Sequence, residues 1–238
     1  MVDGALSAGK SLCSVVGACA TAGIVVAIFS LTGLGLKFSN FIVQLGNNAL
    51  IPSLILSMLV CAVLGMGLPT TAAYIVCATA IAPALTGLGV PTLAAHLFLL
   101  YFASLSAITP PVAVASYAAA GIAEENPMKV GFTAVKLGIT GFILPFAFAL
   151  NPDYITFGFN LQTLMTWLSG MVIAYALAVS FQGYVEGKIS VIERFLYVVM
   201  IALVIVPYFW SSLVGIVLFV LAYGYRELQA KKQVKAAA

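Results

Sequence analysis

Residues 65–71 read Gly65-Met66-Gly67-Leu68-Pro69-Thr70-Thr71, and they divide two apolar runs, 53–64 and 70–85. A membrane-spanning helix needs about 20 residues. The first run cannot cross alone and the second is short, so the pair reads as a re-entrant hairpin with a Gly/Pro tip. A second interruption follows at Ile108-Thr109-Pro110-Pro111, between apolar runs 92–107 and 112–123. The paired prolines remove two backbone donors and disfavour helix at Thr109. These runs read as one helix broken at mid-membrane.

The composition of all 238 residues agrees with a chain built for lipid. Hydrophobic residues make up 63% and charged residues 7%. A soluble domain carries roughly 45–50% apolar and about 25% charged residues. A soluble enzyme, a nucleic-acid binder and a disordered tail are thereby excluded, and an all-α polytopic membrane protein remains. The net charge of +3 supplies no basic patch for nucleic acid. Cys13, Cys19, Cys61 and Cys77 lie in apolar runs without metal-ligand spacing and read as small buried hydrophobes.

Further apolar runs lie at 15–31, 130–150, 161–181 and 195–225, the last split by Pro207. Basic residues concentrate on cytoplasmic loops. With Lys129 and Lys136 inside, 130–150 leads outward to a loop at 151–160 that has no basic residue. The next run returns to Lys188 and Arg194. The tail crosses twice and leaves Arg226, Lys231, Lys232 and Lys235 inside, with a cytoplasmic C-terminus. Backwards from Lys129, the broken helix starts outside at Pro91. The base of the hairpin is then external, and the first helix rises from Lys10 inside. Lys37 alone disagrees. Four regions result: a helix and connector at 1–48; a region at 49–123 that holds the hairpin at 53–85 and the broken helix at 92–123; a connecting span at 124–155; and a helical tail at 156–238.

Non-helical backbone at membrane depth is tolerated inside protein or beside a water-filled cavity. Each break frees carbonyls at one helix end and amides at another. Carbonyls and hydroxyls suit a hard cation such as Na⁺, and helix N-termini suit an anionic group. Secondary transporters combine the two at the midplane. The candidate Na⁺ ligands are Gly65, Gly67, Thr70, Ser106 and Thr109. The candidate solute contacts are Pro69, Thr70, Thr71, Thr109, Pro110 and Pro111. No Asp or Glu lies within a predicted span, whereas a proton relay needs an intramembrane carboxylate or histidine. His96 reads as a satisfied interfacial residue and Lys136 as a snorkelling one. Tyr101, Tyr117, Trp167 and Trp210 read as packing or interface residues. No enzyme signature is present: GxSxG, HExxH and an intramembrane Asp pair are all missing.

The run from Gly65 through Thr71 to Ala72-Ala73-Tyr74 resembles a signature of TRAP transporter permeases. So does Ser106-Ala107-Ile108-Thr109-Pro110-Pro111-Val112-Ala113. Residues 31–38, Pro145-Phe146 and Asn151-Pro152 add to the likeness, which is close over about 4–155. The Gly-Met-Gly-Leu-Pro-Thr-Thr form is similar to the fused branch, in which small and large membrane subunits form one chain paired with TAXI-type extracytoplasmic receptors. The resemblance implies a Na⁺-coupled elevator in the bacterial inner membrane that imports an organic acid from such a receptor. It implies no cofactor besides Na⁺ as the coupling ion. It also implies two inverted repeats, of which 49–123 matches the second. The first repeat and the small-subunit helices are then expected elsewhere in a longer chain or in a neighbouring one, and the 238 residues alone are expected not to transport. Two other readings of the residues stay open: a non-transporting membrane scaffold, and a proton-coupled carrier of unrelated family.

Overall fold

A computed structural model describes residues 2–155, 160–185, 187, 189–205 and 208–237. Among them are eleven α-helices and no β-strand: α1 (Val2–Thr32), α2 (Leu34–Leu45), α3 (Leu50–Leu64), α4 (Thr70–Gly87), α5 (Thr92–Leu105), α6 (Val114–Ala123), α7 (Pro127–Leu137), α8 (Ile139–Leu150), α9 (Leu161–Gln182), α10 (Val191–Ile205) and α11 (Phe209–Ala237). The all-helical, polytopic class expected from composition is the one observed. Lys188 and Pro207, used above as a charge marker and a helix breaker, lie outside the described residues. The chain divides into two compact units at residue 135.

In the first unit α4 is central and packs against α1, α2, α3 and α5. Its sequence explains the position. Ala72, Ala73, Cys77, Ala80 and Ala84 are buried, and such small side chains let neighbouring backbones approach closely. Cys77 faces α3, where its thiol donates to the Cys61 carbonyl at 3.9 Å. Ser39 of α2 donates to the Ala80 carbonyl at 2.8 Å. Such a bond avoids an unsatisfied hydroxyl in an apolar interior.

The second unit has its own core, in which Ile173 and Ala176 of α9 meet Tyr197, Met200 and Val204 of α10. Tyr175 of α9 meets Phe219 and Tyr223 of α11 with ring centroids 5.2 and 5.8 Å apart. Asn160 starts α9 by accepting from the Thr163 amide at 2.7 Å. Gly183 ends it at φ 69°, a backbone open to glycine at little cost.

The outer faces are apolar. Leu31 is 87% exposed, Ile122 88% and Ile192 82%. Contiguous apolar surface is rare on soluble monomers and is what lipid or a partner helix covers.

Three boundaries differ from those expected, and so does the burial of one cysteine. The first helix begins at Val2 rather than 15 and runs 31 residues. The connecting span 130–150 is bent by 41° at Gly138, which parts it into α7 and α8, and the two together remain long and apolar enough for the one crossing expected. Gly138 and Gly141 lie within four residues, and the Gly141 amide closes a tight turn on the Gly138 carbonyl at 2.9 Å. Glycine is the weakest ordinary helix former. Third, α4 continues to Gly87 and, at 18 residues, is long and apolar enough to cross by itself. Pro83 does not end it, and Thr86 Oγ1 bonds back to the Ala82 carbonyl at 3.0 Å. α3, at 15 residues, falls short of a crossing. Fourth, Cys13 is exposed, not buried; Cys61 and Cys77 are buried.

Candidate functional site

The two interruptions lie against one another within the first unit. A Cβ added to Gly65 would sit 2.6 Å from Ser106 Oγ and 3.0 Å from the Cys61 carbonyl oxygen. One added to Gly67 would sit 3.7 Å from Val112 Cγ1. Only a residue without a side chain permits the first approach. Gly67 also takes φ 73°, which turns the tip back toward α4. The tip is held by the Gly65 amide on the Cys61 carbonyl at 2.9 Å and the Leu68 amide on the Gly65 carbonyl at 3.2 Å.

The helix break spans 106–113 and is a folded loop. Ser106 is buried, and its hydroxyl donates to the Ala103 carbonyl at 2.6 Å. Thr109 Oγ1 donates to the Leu105 carbonyl at 2.7 Å. The amides of Ala107, Ile108 and Thr109 close turns on Ser104, Leu105 and Ser106. Ala115 at the start of α6 donates to the Ala107 carbonyl at 3.0 Å, and Ser116 Oγ to the Ile108 carbonyl at 3.4 Å. Most carbonyls expected to be free at the end of α5 therefore already have a partner. The Pro110–Pro111 peptide is cis.

The candidate ligands differ in what they can offer. The hydroxyls of Ser106 and Thr109 spend their protons on backbone carbonyls, which leaves their oxygen lone pairs for a cation. The Gly65 carbonyl has one lone pair left after Leu68. Thr70 and Thr71 open α4, are exposed and have no hydrogen-bonded side-chain partner among the described residues. No side chain caps α4, whose preceding residue is Pro69. A helix start without a cap leaves amide donors unmet. No group of three His, Cys, Asp or Glu side chains suited to a metal occurs among the described residues. Oxygen donors are thus what this region presents, and they fit Na⁺ better than a transition metal.

Several contributors escaped the sequence reading. Tyr117 is more than packing: its hydroxyl donates to the Pro111 carbonyl and approaches Met128 Sδ at 3.2 Å. Gly131 of α7 lies against Pro110, with a would-be Cβ 3.0 Å from Pro110 Cγ. A glycine inside an apolar helix is a signal of close backbone approach that sequence alone offers. Val112 closes over Gly67. His96 is satisfied: its Nδ1 lies 3.0 Å from the Tyr74 hydroxyl, and their rings meet edge to face. At the end of α6, Glu125 pairs with Lys129 at 3.1 Å in full solvent. The Lys129 ammonium, then the Asn126 amide, hold the Glu125 carboxyl below its ordinary pKa.

The profile of one protein family, described as "DctM: Tripartite ATP-independent periplasmic transporter, DctM component", matches residues 1–163. The match covers both interruptions and ends at the start of α9. No curated protein and no solved structure matches the chain.

Proposed function

The chain belongs to the DctM family of tripartite ATP-independent periplasmic transporter components, and from that membership we propose that its first unit forms half of a Na⁺-coupled solute site. The family is a transporter component, not an enzyme, and works with a solute receptor and in a membrane. The finer reading adds an elevator motion, an organic acid as cargo and the fused branch served by a TAXI-type receptor. It puts the chain in the bacterial inner membrane with its C-terminus in the cytoplasm. The first repeat and the small-subunit helices come from the same longer chain or a neighbour.

The contact of Gly65 with Ser106 carries this reading, because it joins two helix breaks that are 41 residues apart into one locus. Bound Na⁺ supplies positive charge at that locus, where no acidic side chain competes for it. The Ser106 and Thr109 hydroxyls, the Thr70 hydroxyl and the carbonyls of Gly65 and Gly67 would hold it. The amides and hydroxyls of Thr70 and Thr71 at the start of α4 would meet an anionic solute group, with Pro69, Thr109, Pro110 and Pro111 as further contacts. Coupling follows if the tip closes on Ser106 only when its oxygens are engaged, since closure buries them.

Thr109→Ala and Thr71→Ala test the reading in the intact transporter with its receptor. Thr109→Ala should raise the Na⁺ concentration for half-maximal uptake about tenfold, the loss of one good ligand contact. Thr71→Ala should raise the apparent KM for solute with Na⁺ dependence kept. Unchanged Na⁺ dependence in a folded Thr109→Ala protein would support the scaffold reading instead.

A further inference from the structure

The proline pair in the helix break cannot hold itself. Neither Pro110 nor Pro111 has an amide to donate. The Ala115 amide, four residues beyond Pro111, is spent on the Ala107 carbonyl. The rest of the break is secured from within. Ser106 and Thr109 bond back to the Ala103 and Leu105 carbonyls, and the amides of Ala107, Ile108 and Thr109 close turns on the end of α5. The Ser116 hydroxyl, 3.4 Å from the Ile108 carbonyl, ties the first turn of α6 to the same frame. Pro110 and Pro111 are left to be placed by their neighbours.

Two helices supply those neighbours. Tyr117, one turn into α6, donates its hydroxyl to the Pro111 carbonyl. Its oxygen also lies 3.2 Å from Met128 Sδ in the first turn of α7. Gly131 is buried and stands three residues beyond Met128, on the same face of α7. A Cβ added there would sit 3.0 Å from Pro110 Cγ and 3.9 Å from Ala113 Cβ. A carbonyl without a donor is costly at membrane depth, so the Tyr117 hydroxyl holds Pro111 where its oxygen is satisfied. A side chain at 131 would push on the Pro110 ring, so the glycine sets how closely that ring seats on α7.

We propose that Tyr117 and Gly131 are positioning residues for the solute: they set its affinity through Pro110 and Pro111 and leave Na⁺ binding unaltered. This assignment rests on the reading of Pro110 and Pro111 as solute contacts and of Ser106 and Thr109 as Na⁺ ligands. The division follows from what holds each group. The two hydroxyl ligands are fixed to carbonyls of α5 itself. The proline pair is fixed to α6 and α7. The site thereby takes in α7, a helix beyond the two interruptions.

The test measures uptake by the intact transporter with its receptor. Tyr117→Phe keeps the ring and removes the donor. It should raise the apparent KM for solute about fivefold, the loss of one neutral hydrogen bond. The Na⁺ concentration for half-maximal uptake and the maximal rate should stay at the wild-type values. Gly131→Ala removes no hydrogen bond and displaces Pro110, and it should raise KM in the same direction. Gly121→Ala on α6, with nothing within 4 Å of its added Cβ, should match the wild type. An unchanged KM in both Tyr117→Phe and Gly131→Ala would overturn the proposal. So would a parallel rise in half-saturating Na⁺, because the break would then move as one body. A fall in maximal rate at unchanged KM would also overturn it, as the mark of a brace that only supports the fold. Thr71→Ala and Thr109→Ala, measured alongside, separate this assignment from the reading it rests on. If both act as expected and Tyr117→Phe does not, the solute and Na⁺ site stands and the positioning role falls. If Thr109→Ala leaves Na⁺ dependence unchanged, the Na⁺ reading falls, and a KM rise in Tyr117→Phe still ties the proline pair to the solute.

Discussion

At Gly65 a single hydrogen atom stands where any side chain would strike Ser106 Oγ and the Cys61 carbonyl. Gly65→Ala must move the tip away from the helix break. Uptake by the intact transporter should fall at least about tenfold, which about 1.4 kcal/mol of lost closure suffices to produce. Gly87→Ala is the matched control: nothing lies within 4 Å of its would-be Cβ, and uptake should be unchanged. Equal uptake by the two variants would remove the contact from the mechanism. Tyr154 makes a second residue-scale case. It sits in the turn between α8 and α9, its ring against Gly170, and burial pushes its hydroxyl up to about 12. Burial favours the neutral phenol. The stabilisation is therefore fully present below the ordinary value of 10.0 and is lost as pH rises toward about 12. Thermal melting across that window should show a loss of stability that Tyr154→Phe lacks.

Helix ends decide what happens at the scale of elements. Asn126 starts α7 by accepting from the amides of Met128 at 3.0 Å and Lys129 at 3.2 Å, with Pro127 in the first turn. Asn126→Ala should cost roughly 1 kcal/mol locally. Hydrogen exchange at 128–133 should quicken about fivefold while α4 is unaffected; unchanged exchange would show that packing alone holds the helix. Such ends also mark how far the sequence could be read. The two interruptions were plain because Gly65, Gly67, Pro69, Pro110 and Pro111 act locally on the backbone. The break at Gly138 was not, because an apolar run hides a weak helix former. The last two residues of α4 escaped because the apolar run ends at Leu85, whereas Thr86 and Gly87 carry the helix on, with Thr86 Oγ1 bonded back to the Ala82 carbonyl. For the candidate site, residue types were legible and partners were not. Nothing in the chain order says that Tyr117 braces Pro111, or that Ser106 and Thr109 spend their protons within their own helix.

The whole molecule poses a question of sidedness that charge and length answer differently. The charge pattern expects Lys129, Lys136, Arg194 and Arg226 on the cytoplasmic side, with Lys37 in α2 as its exception. That topology makes α3 and α4 a hairpin entering and leaving on the external side. Length agrees for α3, about 22 Å at 1.5 Å per residue, and allows α4 to cross alone at about 27 Å. Three arrangements follow, and three single cysteines separate them in a background lacking the native four. If the hairpin is re-entrant, Ala49→Cys and Thr92→Cys both react with an impermeant maleimide from outside. Leu68→Cys at the tip then stays unreactive from the cytoplasm. If both helices cross, Leu68→Cys reacts from the cytoplasm. If α4 alone crosses, Ala49→Cys and Thr92→Cys fall on opposite faces. Lys129→Cys should react only from inside in every arrangement consistent with the charge pattern. The re-entrant pattern is the expected one, because α4 packs through its small residues against four helices and the tip at Gly65 is buried against Ser106. A tip that reached cytoplasmic water would have to leave that contact. Cytoplasmic labelling of Leu68→Cys would therefore separate the two breaks and dismantle the proposed Na⁺ locus together with the hairpin.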